Sequence, residues 1–189
     1  MLFRSQRLNA LFQPLKQRIP ELLATVEEAA QRGNLQSVDA AACADIPEPI
    51  QDALCAELLE SWGYDPSRCQ RSRSAHPFSC TVGPADFRIT TRVVPGQPFS
   101  AFLATAHEWG HSLYEQGLPR GDDHYFPWPL GEATSMGVHE SQSLFWECRV
   151  ARGRAFAARW QGRFLEAASG GDPWGGSGGF WREIGRAHV

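Results

Sequence analysis

Two histidines four residues apart, with a glutamate directly after the first, stand in the stretch AFLATAHEWGHSLYEQG, residues 101–117. On a helix, residues i and i+4 lie one above the other, so His107 and His111 can aim ring nitrogens at a single ion. Neutral imidazole is a natural zinc ligand. Glu108, one position further around the helix, is placed to take a proton from an attacking water. This is the H-E-x-x-H pattern of zinc hydrolases. A catalytic zinc keeps three protein ligands and one open position, so a third donor is required. A metzincin would carry Gly at 114 and His at 117, where this chain has Tyr114 and Gly117, and that class is excluded. A glutamate from a later helix remains. Glu115, Glu132, Glu140, Glu147 and Glu166 are available downstream. Glu115 shares the histidine face but lies one turn too far along to close a tetrahedral site. Glu140, beside Met136, Gly137 and Leu144, reads as inward-facing, and a buried carboxylate needs a partner. Its place within a helix favours Glu140 over Glu132.

These residues must be held by the elements around them. Apolar residues recur at helical spacing over residues 7–31, from Leu8 to Val26. Pro14 and Pro20 predict a kink or two shorter helices there, and Gly33-Asn34 a stop. A second helix is expected over 48–62, with Ile50, Leu54, Leu58, Leu59 and Trp62 on one side and Gly63 ending it. Residues 64–98 are broken by Pro, Gly and Ser, and DFRITTRVV (86–94) alternates like a strand. Ser100 is placed to cap the helix Ala101–Gln116, which Gly117 ends. A loop over 118–131 precedes one long helix from about Ala133 to Ala168. The stretch GGDPWGGSGG is too glycine-rich to order alone.

Composition narrows the function. The formal net charge is −3, and no Lys/Arg run exceeds two residues, so no nucleic-acid footprint is present. No apolar run is long enough for a membrane helix, and the first residues lack the apolar core of a secretory signal. The five cysteines, Cys43, Cys55, Cys69, Cys80 and Cys148, are odd in number, widely spaced and without a C-x-x-C pair. They read as free thiols in a reducing cytoplasm.

Four motifs in order extend the pattern: His76-Pro77-Phe78, then Asp86-Phe87-Arg88-Ile89-Thr90, then His107-Glu108-Trp109-Gly110-His111, then His139-Glu140-Ser141-Gln142. The flanks LYEQGLP, PLGEA and LFWE fit as well. The chain resembles the carboxypeptidase Taq family of metallocarboxypeptidases, densely from about 74 to 160 and more loosely from 7 to 73. That resemblance implies a mainly α fold: a helical zincin-like peptidase core with a short β segment near 86–94, cut from a larger all-helical fold. It implies His107, His111 and Glu140 as metal ligands and Glu108 as general acid/base. It also implies Arg88 and His76 at the substrate, and His139 as a neighbour orienting Glu140. Zinc is the implied ion, with cobalt or manganese as possible substitutes. The implied substrate is a peptide or protein C-terminus, released one residue at a time, and the parent enzyme is expected to be a homodimer.

Departures accompany the likeness. Trp109 stands where the family carries Phe, the 118–130 loop is longer, and VVPGQP follows TTR. Two later family motifs, Ile/Val-Arg-x-x-Ala-Asp and Gly-x-x-Gln-Asp-x-His-Trp, and a long helical N-terminal part are absent. The opening MLFRS and closing EIGRAHV back-translate to a short-read sequencing adapter in complementary orientations. Residues 1–5 and 183–189 are therefore expected to be translated adapter, and 1–182 to be the central catalytic fragment of one larger domain with weak or no activity. The rival expectations are a zinc oligopeptidase with the same ligand set and a non-catalytic remnant. A structural zinc site would be closed by four protein ligands, and only three convincing ones are found.

Overall fold

The computed structural model describes residues 2–32, 46–119, 128–168, 172 and 174–186. Cys43, His124, His188, the Gly33-Asn34 stop and most of the 118–131 loop lie outside them. Met1–Ser37 and Val38–Val189 are two separate units.

The first unit is one helix, α1, Leu2–Gln31, with Pro14 and Pro20 inside it. The helix is continuous, so the two shorter helices do not form. Proline's fixed φ is itself helical; what each ring costs is one hydrogen bond and a clash with the preceding turn. The apolar stripe from Leu8 to Val26 remains 48–65% exposed.

The second unit is built around α3, Pro98–Gln116, which is buried over most of its circumference. A helix apolar nearly all round must be covered on several sides. Helix α2, Glu48–Ser61, starts beside Pro49 and stops at Gly63, whose φ of +82° suits glycine. Leu54 and Leu58 of α2 pack with Phe99, Phe102 and Leu103 of α3. Two later helices complete that side, α5 at Arg154–Ala167 and α6 at Ser177–Arg186. Phe156, Trp160, Phe164, Phe180 and Ile184 join the same cluster, and the Phe102 and Trp160 rings meet edge to face at 4.9 Å.

The other side of α3 meets a small sheet. Besides the expected strand, here β3 at Asp86–Thr91, two more strands form: β1, Cys69–Arg73, and β2, Ser79–Gly83. Their order is β1-β3-β2, with β1 parallel and β2 antiparallel to β3. The edge strands escape the sequence pattern because they are short, polar and largely exposed. The central strand turns Phe87, Ile89 and Thr91 inward. A buried chain of hydroxyls pins it to α3: the Thr105 hydroxyl donates to Ala101 O at 2.7 Å, and its oxygen lies 3.2 Å from Thr91 Oγ1.

The expected long helix over 133–168 is divided. Helix α4 covers Met136–Leu144, capped by the Ser135 hydroxyl accepting from Val138 N–H. A wider π turn follows over Phe145–Val150. Gly153, in extended conformation (ψ 151°), then separates it from α5. Helix α3 itself begins at Pro98 with Gln97 in the cap position, three residues before the expected start. Proline without an N–H is at home in a first turn.

Candidate metal centre

His107 and His111 project from one face of α3, with ring centroids 4.9 Å apart. Helix α4 brings a carboxylate to them. Glu140 Oε1 lies 3.9 Å from His107 Nε2, and Glu140 Oε2 lies 3.3 Å from His111 Nε2. One donor atom from each of the three falls within 4.8 Å of the others. Ligands at ~2.1 Å around a tetrahedral ion stand about 3.4 Å apart, so two nitrogens and one carboxylate oxygen at these separations fit a divalent cation.

The closeness of α4 to α3 depends on Gly110, inside the H-E-x-x-H stretch. A Cβ there would stand 2.8 Å from Ser143 Cα and 3.1 Å from Gln142 O. Without a side chain, Gly110 lets the α4 backbone lie on α3 and carries Glu140 to the histidines. Trp109, fully buried, donates from Nε1 to Trp62 O at 3.2 Å. The Trp62 ring in turn packs at 4.7 Å on Trp146 in the π turn.

Glu140 departs from the inward-facing expectation. Its side chain is 49% exposed, and Met136 and Leu144 beside it are exposed too. The buried contact of α4 runs through Ser143, so Glu140 stands at the mouth of the site, where water reaches its oxygens.

The π turn supplies a residue that sequence reasoning weighed only as a ligand. Glu147 Oε2 accepts from His107 Nδ1 at 2.9 Å, and Glu147 Oε1 accepts from Arg152 Nη2 at 2.5 Å. A carboxylate on Nδ1 leaves the lone pair of His107 on Nε2, facing Glu140. Burial pushes the His107 pKa down, but the Glu147 hydrogen bond and the nearby carboxylates outweigh it and leave it raised. Burial likewise opposes the charge on Glu147, and His107 and Arg152 together hold its pKa below the usual range. His111 is pushed down to about 4 by burial and by the neighbouring His139 and His107 rings. His139 lies against His111, with Nδ1 to Nδ1 at 2.6 Å, and its Nε2 is 2.8 Å from Glu115 Oε1.

Glu108 is 6% exposed. Burial raises its pKa above the ordinary carboxylate value, against the pull of His107 and a Ser79 hydrogen bond. It borders a cavity of about 470 Å³ shared with His107, His76, Arg92, Gln97 and Ser100. His76 is held there because Phe78 N–H donates to Thr90 Oγ1 at 2.9 Å and Phe78 O accepts from Thr90 N–H at 2.8 Å. The His-Pro-Phe and Asp-x-Arg-x-Thr motifs are thus one hydrogen-bonded unit. Arg88 points elsewhere: it forks onto Asp86 at 2.8 and 2.7 Å, exposed on the sheet. The cation in the cavity wall is Arg92. Alternation along the strand puts both arginines on one side, and the sequence carries no signal that separates them.

The family model described as carboxypeptidase Taq (M32) metallopeptidase matches residues 3–183. The chain belongs to that family. It is 38% identical over 170 residues to thermostable carboxypeptidase 1 of Thermus thermophilus, covering 89% of this chain and 32% of the relative. It is 32% identical over 161 residues to carboxypeptidase 1 of Bacillus subtilis, covering 85% of this chain and 31% of the relative. Among solved structures, Trypanosoma cruzi metallocarboxypeptidase 1 superposes with a TM-score of 0.78 at 33% identity, over 94% of this chain and 34% of that one. This M32 chain therefore spans about a third of the length of the relatives it matches. Metallopeptidase membership implies a divalent metal, and the His107, His111 and Glu140 donors are the group among the described residues that converges on one point. No described helix is long and apolar enough to cross a membrane.

Proposed function

We propose that this chain carries the metal-centred part of a zinc metallocarboxypeptidase, with His107, His111 and Glu140 as ligands and Glu108 as the proton-transfer group. The observation that carries this reading is the convergence of the three donors, one of which, His107, lines an open cavity together with buried Glu108 and the Arg92 side chain. Two imidazoles and one carboxylate suit zinc, and cobalt or manganese are the natural substitutes. When bound, the ion supplies Lewis acidity toward water and the scissile carbonyl.

The protein groups do the rest. Glu108, its pKa raised by burial, takes the proton of the attacking water and returns it to the departing amine. A raised pKa brings the two halves of that transfer closer in energy. Arg92 receives the free carboxylate of the substrate, since a guanidinium fork binds it in two places, and so limits cleavage to the last residue. His76 borders the same space and is a further substrate contact, while Arg88 supports the sheet through Asp86. The substrate is accordingly a peptide or protein C-terminus. Buried free thiols such as Cys55, pushed up to about 11 by burial, accord with a cytoplasmic protein. A homodimeric parent rests on the family resemblance alone. Because the chain spans about a third of its relatives, turnover by this piece is expected to be weak or absent, and ligand binding is the better assay.

Calorimetry on the zinc-loaded chain with a short acylated peptide tests the reading. A free C-terminus is expected to bind roughly tenfold or more tightly than the amide-capped peptide, and Arg92→Gln to remove that preference. Equal binding of the two peptides by the wild-type chain would favour an oligopeptidase. Retention of the preference by Arg92→Gln together with its loss in Arg88→Gln would return the carboxylate to Arg88.

A further inference from the structure

We infer that Glu115 is a positioning residue for this centre, acting on His111 through the ring of His139. The inference rests on the metal-centre proposal and adds a residue to it. His111 and Glu115 stand one turn apart on α3, and His139 of α4 inserts its ring between them. The His139 ring centroid is 4.5 Å from that of His111, and Tyr114 meets it edge-on at 5.4 Å. Glu115 is itself steadied by Thr81, whose hydroxyl donates to Oε2 at 3.2 Å. Glu115 and His139 line a polar cavity of about 260 Å³, separate from the one that holds Glu108.

The proton inventory follows from what each group can offer. A carboxylate only accepts, so at the 2.8 Å contact His139 Nε2 carries the hydrogen. A neutral imidazole with a hydrogen on Nε2 has its lone pair on Nδ1. That lone pair meets His111 Nδ1 at 2.6 Å, so His111 Nδ1 is the donor. The lone pair of His111 is then on Nε2, the atom 3.3 Å from Glu140 and the one a metal needs. One acceptor-only group two residues removed thus selects the ligating tautomer. Without it, His139 can donate from Nδ1 instead. His111 would then carry its hydrogen on Nε2, pointing at the metal position.

Nitrogen-resolved NMR of the imidazoles in the metal-free chain tests this at neutral pH, alongside zinc affinity from chelator competition. The wild-type chain is expected to show His111 protonated on Nδ1 and His139 on Nε2. Glu115→Gln offers both a donor and an acceptor. It is expected to populate the Nε2–H form of His111 and to weaken zinc binding by about tenfold to a hundredfold. His107, held by Glu147, should keep its tautomer in that variant, which a general loss of packing would not allow. Glu115→Asp, still acceptor-only, should recover part of the affinity. His111 protonated on Nε2 in the wild-type chain would overturn the inference without any variant. So would a Glu115→Gln chain whose His111 tautomer is unchanged and whose zinc affinity stays within about twofold. A wild-type chain with the expected tautomers that takes up no zinc would instead strike the metal-centre proposal, and with it the role of the relay.

Discussion

His107 and His111 occupy the same face of the same helix, one turn apart, yet the protein backs them differently. His107 rests on a carboxylate, Glu147, which is neutralised in turn by Arg152. His111 rests on the ring of His139, with its carboxylate one step further away. The electrostatic outcome is opposite in sign. His107 is raised, because the carboxylates around it outweigh burial, and His111 is pushed down to about 4, because burial and two neighbouring rings outweigh the pull of Glu140. Orientation and basicity are therefore separable. A direct carboxylate provides both, and a relay through a ring provides orientation while leaving the ligand a weak base.

The largest expected effect comes from removing one arm altogether. His107→Ala should abolish tight zinc binding in chelator competition, whereas Glu108→Gln should leave that affinity nearly intact and eliminate whatever peptide hydrolysis the chain shows. A Glu108→Gln chain that keeps most of its turnover would remove Glu108 from the chemistry.

Glu147→Gln attacks the direct arm selectively. Zinc affinity is expected to fall by about tenfold to a hundredfold. Because the ion pair of buried Glu147 with Arg152 is lost, the chain should also lose about 3 kcal/mol of stability in urea melts. The Glu115→Gln change should leave stability much closer to wild type. Equal destabilisation by the two would break the distinction between the arms.

Gly110→Ala acts on both arms at once. The new methyl would meet Ser143 Cα in α4 at 2.8 Å and Trp146 Cδ1 in the π turn at 3.0 Å, so both must shift, taking His139, Glu140 and Glu147 with them. A loss of about 1–3 kcal/mol is expected in melts, together with weakened zinc binding.

The smallest effect lies away from the centre and sets its background. Arg71 forks onto Asp52 at 2.5 and 3.0 Å and, against partial burial, lowers the Asp52 pKa below its ordinary value. An aspartate depressed in the folded state favours folding above its unfolded pKa of about 3.9. That contribution disappears as the pH falls through the folded value. Asp52→Asn should therefore reduce stability modestly at neutral pH and flatten its decline below about pH 4, with zinc affinity unchanged at neutral pH.

The parts legible in the sequence were those with a local signal. The α3 histidines, the α2 stop at Gly63 and the inward alternation of Phe87 and Ile89 each follow from spacing within a few residues. The edge strands were not legible, because β1 and β2 are defined by their hydrogen bonds to β3 and not by their own polar residues. The division of the 133–168 helix was hidden for a related reason. Its π turn carries no Gly or Pro to mark it, and the partners of Trp146 and Glu147 in that turn, Trp62 and His107, lie far away in sequence. Glu115 and Glu147 were both visible as glutamates downstream of the histidines, but which carboxylate faces an ion and which faces the back of a ring is a matter of where α4 crosses α3.

The sequence alone determined the chemistry available: two imidazoles at helical spacing, a glutamate beside the first, and a family pattern supplying the third ligand. Periodicity and residue type act through the nearest turn of chain, so that much was decided locally. Only the tertiary structure decided which nitrogen of each histidine is left for a metal, and which arginine shares a wall with Glu108. The first depends on contacts between residues 24 and 40 apart along the chain, helped by the close approach that Gly110 permits, and the second on how the end of β3 meets α3.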